Sequence, residues 1–476
     1  MVVTNILSAQ VVVIGGGPAG MAAAATAAEN GVHVLLVDDS PSLGGQIYRQ
    51  FPEEFDETGS DPLGLHDDRG SALLDRVRHC GSRIEIWPNS KAWAIFEHQR
   101  LEIDRDGTLI TVHADALVLA PGAPERPVPF PGWTLPGVIT AGAAQTLMKQ
   151  QAILPGRRIA MTGTGPLQQI VAVQLAKAGA EEVTVADPVS STAYLPQIPA
   201  FLAEPAMLAT GVKLRLGLMR RNVKFHWSHL VKEVRGDGRV EEAVLAKVDD
   251  EWRAISGAEF SIPVDTVCVG FGQIPDIGLS YLAGCRHEFD EVSQAWLPVR
   301  DGNLETTTSG VFVAGDGAGV AGAIVAEIEG ELAGIGAAQS AGVVVASSVN
   351  ARSRLLQRKL ARLSRFRAAV DKVCQIRPGL SALADDETII CRCEDLAKAD
   401  ISVALDEGLR NVNEIKKRTR AGMGMCQGRM CAPSIGALVS ATTAATPDQI
   451  GLGTVRPPLG HVTLGALVEH ATPRKQ

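Results

Sequence analysis

Four cysteines crowd into the last quarter of this 476-residue chain, as Cys391-Arg392-Cys393 and, thirty-two residues further on, Cys426-Gln427-Gly428-Arg429-Met430-Cys431. Two close pairs of thiolates can give two sulfurs to each of two irons, which is the ligand set of a [2Fe–2S] cluster. Gly422, Gly424 and Gly428 surround the second pair, where backbone N–H groups can turn inward and hydrogen-bond sulfur. Tetrahedral zinc is the competing occupant of Cys391, Cys393, Cys426 and Cys431. Zinc, however, usually takes two pairs with longer spacers, and one pair here is C-x-C.

A second kind of chemistry is written near the start. Gly15-Gly16-Gly17-Pro18-Ala19-Gly20 follows an apolar strand pattern at 11–14 and leads into a helix of small residues at 22–29. Gly15 permits the tight turn, Gly17 lets backbone approach a pyrophosphate, and Gly20 lets the helix lie close to the strand. The helix start, with Pro18 and Ala19 in the turn, offers free N–H groups and the positive end of a dipole to phosphates. Asp38 ends the second strand eighteen positions after Gly20, where a carboxylate can accept from ribose hydroxyls. A dinucleotide is expected here.

A weaker echo follows: a strand at 158–161, the turn Gly163-Thr164-Gly165, a helix at 167–178 and a strand ending at Asp187. Gln168 stands where a third glycine would pack the helix onto the strand. Asp187 favours a free 2′-hydroxyl and so disfavours NADPH. NADH, another nucleotide such as ATP, and a vestigial fold with no ligand all remain open.

Two βαβ openings imply an α/β protein with two doubly wound sheets. The proline-rich stretch 121–131 marks a crossing between them, and the chain returns near 262. The expected units are therefore 1–125 with 262–345, an inserted 135–260, a connector at 351–385, a small cysteine domain at 386–445 and a tail at 446–476. Within the connector, seven basic residues between Arg352 and Arg367 occur without an acid, and leucines recur at helical spacing. This predicts an amphipathic basic helix that packs on its own body; docking to a partner or to a membrane surface is the alternative, with Arg358, Arg362 and Arg365 as contributors.

Composition narrows the function. The balance of 45 basic to 53 acidic residues and an aromatic content of 4% argue against a nucleic-acid binder. No lysine or arginine precedes Arg49, so the apolar start is not expected to be a secretory signal. No apolar run reaches the ~18 residues of a membrane span. A cytoplasmic place is expected, with attachment at the inner membrane surface as a variant. No His/acid dyad, nucleophile elbow or paired carboxylate is recognisable, so the catalytic residues are unknown. No C-x-x-C pair occurs in the first or the inserted unit, which excludes dithiol chemistry.

Three further stretches carry a resemblance. Ala120-Pro121-Gly122-Ala123-Pro124, Gly270-Phe271-Gly272-Gln273-Ile274-Pro275 and the segment 308–316 ending in Gly315-Asp316 resemble, in order, the crossing segments and second flavin motif of two-dinucleotide, glutathione-reductase-like flavoproteins. That resemblance implies FAD at the first site, with Asp316 on the ribityl chain and Ala120 and Gly122 lining the cofactor. The cysteine segment resembles the helical domain of bacterioferritin-associated ferredoxin. With Gly44-Gly45-Gln46-Ile47-Tyr48-Arg49, Gly132-Trp133-Thr134-Leu135-Pro136-Gly137 and Ala421-Gly422-Met423-Gly424 added, the chain over 10–445 resembles the α-type subunits of bacterial amine dehydrogenases. That family includes the opine oxidase A subunit, the hydrogen cyanide synthase B subunit and proline or hydroxyproline dehydrogenase α subunits.

The family resemblance implies a cofactor contact at Gly45 and Gln46. It implies amine oxidation in a separate glycine-oxidase-like flavoprotein subunit, with this chain carrying electrons toward a quinone or cytochrome. It also allows FMN at a subunit interface and a further small iron–sulfur subunit. Two other readings stay open: a self-sufficient NADH-dependent reductase, and a non-catalytic iron or redox sensor.

Overall fold

The computed structural model describes residues 6–49, 68–344 and 346–471, so parts of the expected units 1–125, 262–345 and 446–476 lie outside the described residues. The first sheet grows outward from the apolar N-terminal strand. Ile6–Ile14 pairs in parallel with Val34–Val37 on one side and Thr108–Leu119 on the other, with Val13 beside both Leu36 and Val118. The order across the sheet is Ile84–Trp87, Val34–Val37, Ile6–Ile14, Thr108–Leu119, Arg100–Arg105, Ser90–Phe96, and Val311–Val313 also pairs with Thr108–Leu119. Val11 and Val13 enter one core while Val12 and Ile14 enter the core on the other face. Burial on both faces explains an unbroken apolar run in place of polar alternation. Each such Val or Leu contributes about 1.5–3 kcal/mol on burial.

The helix after the first turn is Pro18–Glu29, beginning four residues earlier than its small-residue run suggests because proline is tolerated at the first helical position. It packs against Ala323–Ser340 nearly backbone to backbone. A Cβ on Gly330 would strike the Ala19 carbonyl, and one on Gly334 the Ala23 carbonyl.

The inserted sheet is all parallel, in the order Lys224–Trp227, Glu182–Asp187, Arg158–Gly163, Thr266–Gly270, Val138–Thr140. Thr266–Gly270 lies between Arg158–Gly163 and Val138–Thr140 in this sheet, although the sequence reading placed everything from 262 onward with the first. The pairing puts the return crossing after Gly270. A three-stranded antiparallel sheet, His229–Arg235, Glu242–Val248 and Ala254–Pro263, completes this unit.

The basic segment is a 28-residue helix, Ser347–Cys374. Leu356 and Leu363 enter the core of the first sheet, while Val373 enters that of the inserted unit. The helix is a strut joining both. Arg362 pairs with the buried Glu204 and Arg352 with Glu331, so the body itself occupies part of the basic face.

The cysteine segment has its own core, built from Ile401, Leu405, Val412, Ile415, Ile435 and Val439 around Cys391 and Cys431. Its helices are Lys398–Asp406, Val412–Thr419 and Ala432–Thr443. Asn411 caps the second: its side chain accepts from Asn413 N–H at 2.8 Å, and Glu414 accepts in return from Asn411 N–H at 3.2 Å. Beyond 446, read from sequence only as a tail, stand the helices Pro447–Ile450 and Leu464–Ala471. Between them Leu459 is buried in the first sheet's core, and its N–H donates to Trp93 O at 2.7 Å. Among the described residues no helix is long and apolar enough to cross a membrane.

Candidate functional site

The first glycine turn opens onto a cavity of about 1340 Å³. That exceeds the ~300–1,000 Å³ of an ordinary ligand pocket and leaves room for a dinucleotide. A Cβ on Gly20 would run into the Gly15 carbonyl, whereas one on Gly17 would meet only the Gly45 Cα, at 3.7 Å. Glycine is thus demanded by packing at the first position and leaves space for a ligand at the second. Asp38 Oδ2 accepts a short hydrogen bond from Gly16 N–H, and Oδ1 accepts from Ser40 N–H at 2.8 Å. Burial pushes its carboxyl upward, while those two donors favour the charged form.

Every first-site residue named from the sequence other than Gly20 lines this cavity or, for Gly315, stands next to it. Gly15, Gly17, Pro18, Ala19, Asp38, Gly45, Gln46, Ala120, Gly122 and Asp316 all face it. Asp316 Oδ1 accepts from Ala321 and Gly322 N–H at 3.0 and 3.2 Å, which fixes the carboxylate at the cavity wall. The loop carrying Gly45 is held from the inserted unit, where Lys149 donates to Ile47 O at 2.9 Å and Arg49 donates to Gln150 at 2.7 Å.

Sequence reasoning missed the support behind this wall. Glu329 Oε2 accepts from Gly315 N–H at 2.8 Å, and Arg300 grips the same carboxylate with both terminal nitrogens at 2.9 and 3.2 Å. Arg126 was missed as well. Half-buried, with no carboxylate partner among the described residues, it donates to Ser293 O at 2.5 Å and is pushed down to about 10 by desolvation. No local motif announces either group.

The second turn has the same backbone plan but a different environment. Gly163 packs on Gly270, while Thr164 and Gly165 line the same cavity. The Cys374 sulfur, from the end of the basic helix, lies 3.8 Å from where a Gly165 Cβ would stand. Its thiol is pushed up to about 12, first by burial. The Tyr194 phenol lies beside that thiol and within reach of the Asp187 charge. Asp187 does not line the cavity at all; it is fully enclosed, and desolvation pushes it up to about 7. Val189 N–H donates to its Oδ1 at 3.0 Å, but Oδ2 lacks a well-aligned partner, although the Thr164 hydroxyl is close enough to favour the charged form. Gln168 folds inward, donating to Ala186 O at 3.4 Å with its own Oε1 unpartnered.

Cys391 and Cys426 both act on the Cys431 thiol. The Cys431 thiol is pushed up by burial first, then by Cys391, with which it shares a hydrogen bond, and by Cys426. Cys393 lies across Gly424, where a Cβ would collide with it. Cys391 and Cys431 are buried, Cys426 half-buried and Cys393 exposed. Among the described residues no three His, Cys, Asp or Glu side chains converge on one point as ligands of a single ion. Four thiols on short glycine-rich loops, with Cys391 and Cys426 near Cys431, are a donor set of the kind that a sulfur-bridged two-iron unit would use. The other four cysteines are scattered, and Cys374 is the one described cysteine that lines the cavity, so no dithiol pair faces it.

Residues 9–342 match the pyridine nucleotide-disulphide oxidoreductase family, and residues 385–470 match the sarcosine oxidase A3 domain. The opine oxidase A subunit of Agrobacterium tumefaciens is 35% identical over 96% of this chain and 90% of its own. The chain belongs to the family of opine oxidase A subunits. It is accordingly an FAD-dependent oxidoreductase subunit of the glutathione-reductase-like fold class. Hydrogen cyanide synthase subunit HcnB of Pseudomonas aeruginosa is 34% identical over 88% of this chain and 90% of its own. Among solved structures, L-proline dehydrogenase from P. horikoshii superposes with a TM-score of 0.70 at 22% identity, covering 98% of this chain and 80% of that one. Thioredoxin reductase from T. acidophilum reaches 0.51 at 20% identity over 70% of this chain and 98% of its own.

Proposed function

We propose that this chain is the electron-carrying subunit of a multi-subunit, dye- or quinone-linked amine dehydrogenase of the opine, proline, hydroxyproline or glycine type. The amine is oxidised in a partner glycine-oxidase-like flavoprotein subunit, and electrons pass through FAD and a [2Fe–2S] cluster held by Cys391, Cys393, Cys426 and Cys431. The observation that carries this reading is the shared cavity. Arg429, between Cys426 and Cys431, lines the same cavity as Gly17, Asp38 and Asp316.

FAD would supply the step from paired to single electrons. The chain's part is to fix it: Asp38 toward the ribose, Asp316 toward the ribityl chain, the helix start at Pro18 toward the phosphates, and Glu329 with Arg300 bracing the Gly315 turn. Relatives described as subunits support a partner, and an FMN between the two subunits or a further small iron–sulfur subunit would fit the same scheme. The acceptor is a quinone or cytochrome, reached from the cytoplasm or from the inner membrane surface.

Elemental analysis tests the cluster: iron and acid-labile sulfide are expected beside FAD. Cys393→Ser or Cys426→Ser should abolish the iron–sulfur absorption and leave FAD content nearly intact, because the ligands sit on a core of their own. Zinc without sulfide would refute it. The isolated chain should oxidise no amine, opine or proline at a useful rate until the partner flavoprotein is co-expressed. Full activity from this polypeptide alone would move catalysis into it.

One observation favours a second reading, an NADH-dependent reductase: Thr164, Gly165 and Pro166 open onto the flavin cavity. Rapid flavin bleaching on stopped-flow mixing with NADH would support it. The enclosure of Asp187 and the Cys374 sulfur on Gly165 favour slow or absent bleaching.

A further inference from the structure

Apart from the buried Gly428, the residues enclosed by the two cysteine pairs reach beyond the cysteine core, to the inserted unit, to the crossing segment and to the C-terminal segment. Arg392, between Cys391 and Cys393, lies over the Trp133 ring with its guanidinium carbon 5.4 Å from the centroid. The indole N–H of Trp133 donates to Ile389 O at 2.8 Å, two residues before the first cysteine. Between Cys426 and Cys431, Arg429 reaches Asp276 on the crossing segment at 4.0 Å. Met430 packs against the core of the inserted unit. Gln427 grips the C-terminal segment from both sides, donating to Pro458 O at 2.5 Å and accepting from Gly460 N–H at 3.2 Å. That segment is anchored in turn: Leu459, between the two gripped positions, is buried under the first sheet and bonded to Trp93 O.

We propose that Arg392, Gln427, Arg429 and Met430 are positioning residues that dock the cysteine module rigidly at the flavin cavity. The segment 451–471 acts as the strap that closes the dock, so electrons cross without a swing of the module. The electron-transfer part rests on the reading of the four cysteines as cluster ligands; the docking does not. Two pairs of chain-bonded neighbours make the arrangement efficient. A residue held between two ligands is joined to each by a few backbone bonds, so fixing its side chain to the body restrains both sulfurs and, with them, the distance between cofactors. A tethered module would instead visit the cavity only at the effective concentration its linker allows. The contacts are spread over three elements far apart in sequence, which resists rotation as well as separation.

The test uses the full-length, FAD-loaded chain, the Arg392→Ala variant and a Gln427→Ala/Arg429→Ala double variant. All three side chains are exposed, so the fold should survive. Hydrogen exchange over 386–396 and 452–462 should be slow in the parent. In the double variant it should speed up over 452–462, and in Arg392→Ala over 386–396, while FAD, iron and sulfide contents stay at parent values. After flash reduction of the flavin, cluster bleaching should slow by about tenfold in the double variant, since small misplacements of reacting groups are costly. Unchanged exchange at both segments in both variants would overturn the docking. Faster exchange with an unchanged bleaching rate would overturn its role in electron transfer. A parent lacking iron and sulfide would overturn the cluster reading alone, because exchange still decides the dock.

Discussion

At the first glycine turn the strand-end carboxylate of Asp38 lines the cavity and already holds two backbone N–H groups, whereas at the second turn Asp187 is sealed behind its strand with one oxygen lacking an aligned partner. The neighbour above Gly17 is another glycine; the neighbour above Gly165 is a thiol brought in by the long basic helix. Strand, turn and helix are alike in both places. Topology alone therefore does not make a nucleotide site. What surrounds the turn decides whether the acid at the strand end can reach a ligand as a carboxylate.

The sharpest way to break this comparison is pH. Asp187 is raised from 3.8 to about 7, so the folded chain keeps a proton there that the unfolded chain gives up. Stability from this group is complete below pH ~4 and is lost as pH rises toward 7, at about 1.4 kcal/mol per pH unit. Asp187→Asn should remove that slope. The variant should gain on the parent between pH 5 and pH 8, with a difference reaching a few kcal/mol at the upper end, read as the gap between thermal unfolding curves. Parallel curves across that range would mean that Asp187 is ionised and solvated, as a working ribose site requires.

The converse experiment is at the open turn. If Asp38 and Asp316 accept from ribose and ribityl hydroxyls, alanine at either removes a charged acceptor worth roughly 1.5–3 kcal/mol, a tenfold or greater loss of FAD affinity. Asp187→Asn should leave FAD affinity unchanged. Equal FAD retention in Asp38→Ala, Asp316→Ala and the parent would erase the functional difference between the turns.

The two turns also show what a sequence can disclose. Gly15, Gly17, Gly20 and Asp38 lie within one βαβ unit, so local spacing was enough to bring them to one turn, and all but Gly20 face the cavity. The cysteine spacing is local in the same way, and the four thiols do gather in one small core, while their role as cluster ligands rests on the proposal above. The closure of the second turn was not legible. Cys374 and Tyr194 reach Gly165 and Asp187 only through the fold of the basic helix and the 191–197 turn, and no short-range pattern encodes that meeting. Trp133 stood in a recognisable stretch, but its task beneath Arg392 appears only when the cysteine module is seen resting on it. Thr266–Gly270 was misplaced for a related reason: a lone apolar strand does not say which sheet will receive it.

The smallest effect concerns the helix that delivers Cys374. Of its seven basic residues between Arg352 and Arg367, Arg352, Arg362 and Arg367 are paired with Glu331, Glu204 and Asp371, while Arg354, Arg358, Lys359 and Arg365 are exposed. Glu204 is almost wholly buried and Arg362 is its partner from the helix side. Arg362→Gln would leave that carboxylate short of a partner and loosen the strut next to the Phe201–Phe366 contact, where ring centroids lie 5.4 Å apart. The expected cost is about 1 kcal/mol, kept small because Arg362 is itself largely exposed. Arg358→Gln and Arg365→Gln should stay within about 0.5 kcal/mol of the parent. Chemical denaturation separates the two outcomes. A loss of partner co-purification in the Arg358 and Arg365 variants at unchanged stability would assign those two side chains to docking and leave Arg362 to the strut. If all three variants lost stability alike, the helix would be held by its overall charge, and the second turn would owe its closure to the whole basic face, with no special part for the Arg362–Glu204 pair.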